Sequence, residues 1–182
     1  MEVGENTMNL KLAAFLIIFI GILGRLIPHA PNMAPIAALA LFGGAYLPKK
    51  FAFFPLIALF ISDYFIGFYG TSMIYVYLSF GLVGLIGIWL KEHKSMKNIF
   101  GATLITSTIF YLITNFGVWV DPQSSYSKDF IGLMQSYYYA IPFFRNTILG
   151  DLSYTALFFG SYEFIMNISK RYLSKSIYSL LF

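Results

Sequence analysis

The fold class this sequence predicts is all-α: a polytopic membrane protein built from apolar helices. Three observations predict it. Of 182 residues, 58% are hydrophobic, 20% are aromatic and only 11% are charged, and mean hydropathy is +0.72. A soluble domain carries about 25% charged residues, so 12 basic and 8 acidic side chains are too few to coat a globule of this length. The bases also sit in short clusters between apolar runs, the pattern by which a membrane protein fixes its orientation. Disordered, collagen-like, disulfide-stapled and ordinary soluble enzyme classes are excluded on these grounds. The net charge of +4 forms no basic patch or stripe, so no nucleic-acid partner is expected.

Apolar runs long enough to cross about 30 Å of hydrocarbon define five or six helices. In order they are Leu10–Ile27, the shorter Met33–Leu47, Phe51–Ile66, Met73–Leu90, Asn98–Gly117 and Asn146–Ser169. Pro28-His29-Ala30-Pro31 separates the first two, and Pro48-Lys49-Lys50 separates the second from the third. Gly67 and Gly70 mark the next turn, and Lys91–Lys97 forms a charged loop. Met1–Thr7 reads as a disordered leader, with Met8 an alternative start, and residues 8–182 as one transmembrane domain. Glu2 and Glu5, with Lys11 the only base, do not fit the basic leader of a cleaved signal peptide.

Positive charge orients the chain. With six spans and a cytoplasmic N-terminus, Lys11, Lys49, Lys50, Lys91, Lys94, Lys97, Lys170, Arg171 and Lys175 lie inside, and Arg25, Lys128 and Arg145 outside. If Met33–Leu47 does not span, a five-helix model exchanges Lys11 for Arg25 and scores the same. Charge therefore places the last four helices and a cytoplasmic C-terminus, and leaves the second helix open.

Embedded polar groups are costly and are read as functional by default. Most fall toward the outer helix ends: Asp63 on the third run, Asn115 closing the fifth, and Arg145, Asn146 and Asp151 opening the last. Arg25, His29 and Asn32 flank the first proline-rich break. Structural roles compete. Arg25 can snorkel to headgroups, Asp63 can pair with a neighbouring base, and Asn146 and Asp151 suit a helix N-terminus. Arg145 at that terminus needs an anionic partner, and Glu163 reads as an inner-interface residue. The link Val118–Phe144 is long for a bare connection, which marks it as a candidate lid. Its Tyr137-Tyr138-Tyr139 run, with Trp119, Tyr69, Tyr75 and Tyr77, suits either an interfacial belt or the wall of a ligand pocket.

No P-loop, His-Glu-x-x-His or Gly-x-Ser-x-Gly motif occurs, and no inverted repeat is visible. With no cysteine, and with His29 and His93 far apart, neither a metal site nor a cofactor is expected.

The stretch from Gly24-Arg25-Leu26-Ile27-Pro28-His29-Ala30-Pro31-Asn32-Met33-Ala34-Pro35 to Phe42-Gly43-Gly44 leads into Pro55-Leu56 and Ser62-Asp63. Together with Thr114-Asn115-Phe116-Gly117 and Arg145-Asn146-Thr147-Ile148-Leu149-Gly150-Asp151, it resembles an uncharacterised bacterial membrane family similar to the substrate-binding S components of energy-coupling factor (ECF) transporters. The resemblance covers nearly the whole chain after Met8. It implies six transmembrane helices with both termini cytoplasmic, in a multi-pass protein of the bacterial cell membrane. It further implies a vitamin-like micronutrient pocket near the outer face, and a coupling subunit with two ATPases as partners. S components often carry Ala-x-x-x-Ala on the first helix. Here the nearest matches are Ala34-x-x-x-Ala38 and Ala40-x-x-x-Gly44 on the second helix. Such spacing serves a coupling interface or internal packing equally.

The expected function is therefore capture of a small ring-containing micronutrient, without catalysis, in a lipid bilayer. Arg25, His29, Asn32, Asp63, Asn115, Trp119, Tyr138, Arg145, Asn146 and Asp151 are the candidate contacts. A membrane enzyme acting on lipid or isoprenoid, with Asp63 or Asp151 as acid or base, and a structural subunit are the alternatives.

Overall fold

A computed structural model describes residues 30–49, 52–68 and 70–181, together with scattered positions between 12 and 28; beyond Ile168 it describes backbone only. Six helices are delimited: α1 (Ile36–Tyr46), α2 (Phe54–Ile66), α3 (Ser72–Glu92), α4 (Met96–Val120), α5 (Phe130–Tyr138) and α6 (Ile141–Leu181). The described positions among Leu12–Gly24 are helical too, in keeping with the first apolar run, and there is no strand among the described residues. α3 and α4 are long and apolar enough to cross a membrane, with mean hydropathies of 2.0 and 1.5.

The bundle is organised around α1. Its sequence Ile-Ala-Ala-Leu-Ala-Leu-Phe-Gly-Gly-Ala-Tyr has no polar face, and every residue from Ile36 to Ala45 is buried. A helix that is apolar all round belongs in the interior. Its 11 residues reach only about 16 Å at the α-helical rise, roughly half the hydrocarbon thickness. Met33–Leu47 is thus shortened at both ends, because Pro35 precedes the first turn and the chain turns extended at Leu47.

α1, α3 and α6 run parallel, with α4 antiparallel to them. Lys91 Nζ at the end of α3 donates to Leu47 O at the end of α1 over 2.8 Å. Phe42 on α1 meets Phe158, Phe159 and Tyr162 on α6 at 5.4–6.3 Å between ring centroids. Phe80 and Phe110, on α3 and α4, stack at 5.1 Å. The closest approach is α1 on α3. A Cβ on Gly44 would lie 2.5 Å from Gly84 O and 2.7 Å from Gly87 Cα. Of the small-residue stripe, Gly44 makes that approach; Ala38 and Ala40 are buried within the bundle, and Ala34 is half-buried in the cavity wall.

α2 is the opposite case. Ile57, Phe60, Ile61, Tyr64, Phe65 and Ile66 are each more than half exposed. Contiguous apolar surface on that scale is rare on soluble monomers and fits a lipid-facing helix.

Several sequence-drawn boundaries move: α6 runs on to Leu181 rather than ending at Ser169, and the ends of the expected Lys91–Lys97 loop belong to α3 and α4. The last helix starts at Ile141 rather than Asn146, with Pro142 just inside its first turn, where a missing N–H does no harm. The link Val118–Phe144 holds a helix of its own, α5, begun by Asp129, whose side chain accepts from Gly132 N.

Candidate functional site

At the N-terminal ends of α1, α3 and α6 the helices diverge and leave a cavity of about 340 Å³. It is lined by Asn32, Ala34, Ile36, Ala37, Leu59, Ile66, Val76, Phe80, Phe110, Thr147 and Asp151. A second lobe of about 200 Å³ shares Asn32, Val76, Phe110 and Thr147 with the first, and adds Tyr111, Thr114, Asn115, Ala140 and Phe144 among others. The walls are largely aliphatic and aromatic with a few polar groups, the usual composition of a small-molecule site.

The turn Ala30–Met33 positions Asn32. Met33 N donates to Ala30 O over 3.0 Å, Pro31 occupies the second turn position, and Asn32 takes a positive φ of 61°. Asparagine accepts that left-handed conformation more readily than most side chains. Asn146 Nδ2 donates to Pro31 O at 3.1 Å and holds the turn against α6. Close packing of Gly150 beneath it completes the clamp: a Cβ there would lie 3.1 Å from Met33 Cα. Asn146 is therefore a residue within α6 that fixes the turn, rather than the helix cap its sequence position suggests.

Asp151 lies nearly three turns into α6 and is only 3% exposed. Its Oδ2 accepts from Ser107 Oγ on α4 at 2.7 Å, while the same hydroxyl lies 2.9 Å from Thr103 O. A hydroxyl has one proton to donate, so carboxylate and carbonyl share it. One layer away, Thr103 Oγ1 meets Thr155 Oγ1 at 3.3 Å. Asp63 is fully buried on α2 and accepts from Tyr77 Oη at 2.7 Å. That places it in the α2–α3 seam, outside the cavity wall.

Of the sequence-derived candidates, the cavity brings together Asn32, Asn115 and Asp151. Asn115 lines the second lobe while its Nδ2 donates to Tyr111 O, one turn back. Trp119 turns to the loop, its Nε1 donating to Ser127 O at 2.9 Å. Tyr138 projects outward, 69% exposed, on the far side of α5, and Arg145 is exposed on α6. Arg25 and His29 lie outside the described residues, as does Tyr69. α5 lies along α4, where Tyr111 Oη donates to Tyr137 O and Tyr137 Oη to Leu112 O at 2.7 and 2.9 Å. Burial raises the Tyr137 phenol above its ordinary pKa, with Tyr111 adding to the effect.

Ala37, Phe80, Phe110 and Thr147 were not singled out by sequence. Thr147 carried the one available signal, a hydroxyl a turn before Asp151 on the same helix face. The rest look like any apolar helix residue. Among the described residues, no three His, Asp or Glu side chains converge to hold a metal ion.

The opposite end is closed among the described residues. Tyr46 Oη donates to Glu163 Oε1 at 2.7 Å, and Lys94 Nζ sits 4.3 Å from the centre of the Tyr46 ring. Desolvation lowers the Lys94 pKa, opposed by the nearby Glu163.

A family model described as a family of unknown function (DUF6580) matches residues 5–175. The chain belongs to that family. No curated protein and no solved structure matches it. In this DUF6580 member the matched span contains the whole cavity, the clamped Ala30–Met33 turn and the closed lysine-bearing end.

Proposed function

We propose that this protein is a membrane-embedded capture subunit of an ECF-type uptake system, taking a small ring-bearing micronutrient from outside the cell. The observation that carries the reading is the position of the cavity. It opens among the N-terminal ends of α1, α3 and α6, whereas Lys49, Lys91 and Lys94 lie at or beyond the C-terminal ends of α1 and α3. Lysine-rich ends face the cytoplasm, so the cavity faces outward. The reading takes the N-terminal apolar run and all five longer helical segments as six membrane-associated helices with cytoplasmic termini. α1 is their short, protein-wrapped core, and a coupling subunit with ATPases is the external energy source. Burial of Ala38, Ala40 and Gly44 directs the search for a docking face away from α1 and toward the lipid-facing helices.

The test is mass spectrometry of small molecules that accompany the protein through detergent purification. The protein is expected to carry one ring compound at near-stoichiometric amount. Ala37→Phe, which fills the cavity, should keep the elution volume and lose that compound. A preparation free of bound small molecules, or an equal load on the filled variant, would overturn the reading.

A further inference from the structure

The cavity is asymmetric in its polar chemistry, and that asymmetry specifies a ligand. Asp151 is the one ionisable side chain on the described walls of either lobe, apart from the Tyr111 phenol, which is engaged with Tyr137 O. It is nearly enclosed, and the single proton it receives, on Oδ2, is shared with Thr103 O. No buried side-chain oxygen lacks a partner among the described residues. Oδ1, which has no hydrogen bond among the described residues, therefore keeps its access through the cavity. An ionised carboxylate accepts about four hydrogen bonds, and a buried one is stable only when paired. The available oxygen thus calls for a donor from within the cavity, and most strongly for a charged one.

The remaining walls agree. Phe80 and Phe110 stack beside the cavity, and both line it. Their π-faces suit a flat ring and attract cations. Asn32, at the turn, carries a side-chain amide with no hydrogen bond among the described residues, so it can meet either a donor or an acceptor at the ligand's other end.

We infer that the cavity binds a flat ring compound bearing a protonated nitrogen, which docks on Asp151 Oδ1 while the ring lies along Phe80 and Phe110. This rests on the capture reading above and names its ligand class: a nitrogenous cation rather than a neutral compound or a carboxylate.

The experiment uses three probes with one ring and different tails, titrated calorimetrically into the purified wild-type protein. Tryptamine is cationic, tryptophol is neutral and indole-3-acetate is anionic. Tryptamine is expected to bind at least tenfold more tightly than indole-3-acetate, with tryptophol between them. Asp151→Asn should weaken tryptamine at least tenfold and change tryptophol by less than twofold. The tryptophol arm reports an intact cavity in the variant, and the wild-type series needs no variant at all. Equal or tighter binding of indole-3-acetate, binding of none of the three, or unchanged tryptamine affinity in Asp151→Asn would overturn the ligand class. Failure here is distinguishable from failure of the capture reading. A carried compound with no basic nitrogen sinks only the ligand class, whereas loss of the capture reading shows as no carried compound.

Discussion

The two ends of this bundle draw on the same apolar residue types and reach opposite results. At the closed end α1 meets α3 through Gly44, Gly84 and Gly87, so close that backbone touches backbone. Phe42, Tyr46, Phe159 and Tyr162 fill what space remains. At the cavity end no glycine pair brings α1 onto α3; Val76, Phe80 and Phe110 stand in the wall, and the Ala30–Met33 turn is held against α6 by its bond to Asn146. Residue size at the contact, more than hydrophobicity, decides whether two helices seal or leave a cavity.

The largest effect should come from disturbing the sealed end. A Cβ on Gly87 would lie 2.5 Å from Leu41 O and 3.0 Å from Gly44 Cα. Backbone cannot yield as a flexible side chain does, so Gly87→Ala is expected to exceed the usual overpacking cost of about 1–3 kcal/mol. Aggregation or a strongly lowered melting temperature in detergent would report it. Gly81, on the same helix, has nothing within 4 Å of its missing Cβ. Gly81→Ala should therefore be neutral or stabilising by about 0.5–1 kcal/mol, the ordinary helix-interior gain. If the two variants melt alike, close backbone contact is not what seals that end.

Next in size is the α2–α3 seam, which lies between these extremes. Tyr77→Phe removes the phenol that donates to the buried Asp63. Loss of a donor to a buried group costs about 1–3 kcal/mol, so a melting shift well short of Gly87→Ala is expected. An unchanged melting temperature would mean that Asp63 is held by its other neighbours.

Much of this division was legible in the sequence. Composition and the apolar runs pointed to a helical, membrane-type chain, and lysine placement separated one end from the other. Asn32, Asn115 and Asp151 were recognisable as polar residues too costly to embed without purpose. The destination of each side chain was harder to read. Trp119 and Tyr138 share the composition of a pocket wall, but helix phase turns one to the loop and the other outward. The stripe Ala34, Ala38, Ala40 and Gly44 has the spacing of a docking face. At Gly44 its partner is Gly84 and Gly87, some forty residues away, and no local pattern encodes that pairing. Asn146 looked like a cap because the true helix start, five residues earlier, is set by Pro142 and the end of α5.

The smallest expected effect lies on α5, outside the long apolar helices. Asp129 begins this helix, its Oδ1 accepting from Gly132 N at 2.8 Å and from Ser127 Oγ at 2.7 Å. Those bonds favour the ionised carboxylate, the Gly132 N–H most and the Ser127 hydroxyl next, and they lower its pKa below the usual aspartate value. A depressed folded-state pKa adds stability that is fully present above the unfolded value and is lost as pH falls through the folded one. The cap should thus hold at neutral and mildly acidic pH and fail only below the ordinary carboxylate range. Because Asp129 is exposed, solvent screens the effect, and global melting should not register it. Amide exchange in Phe130–Leu133 is the sensitive measurement. It should accelerate in Asp129→Ala at neutral pH, while Asp129→Asn, still able to cap, retains most of the protection. Equal loss in both variants would assign the protection to charge rather than to the cap bond. Retained protection in both would mean that Tyr111 and Tyr137, rather than Asp129, hold α5 in place.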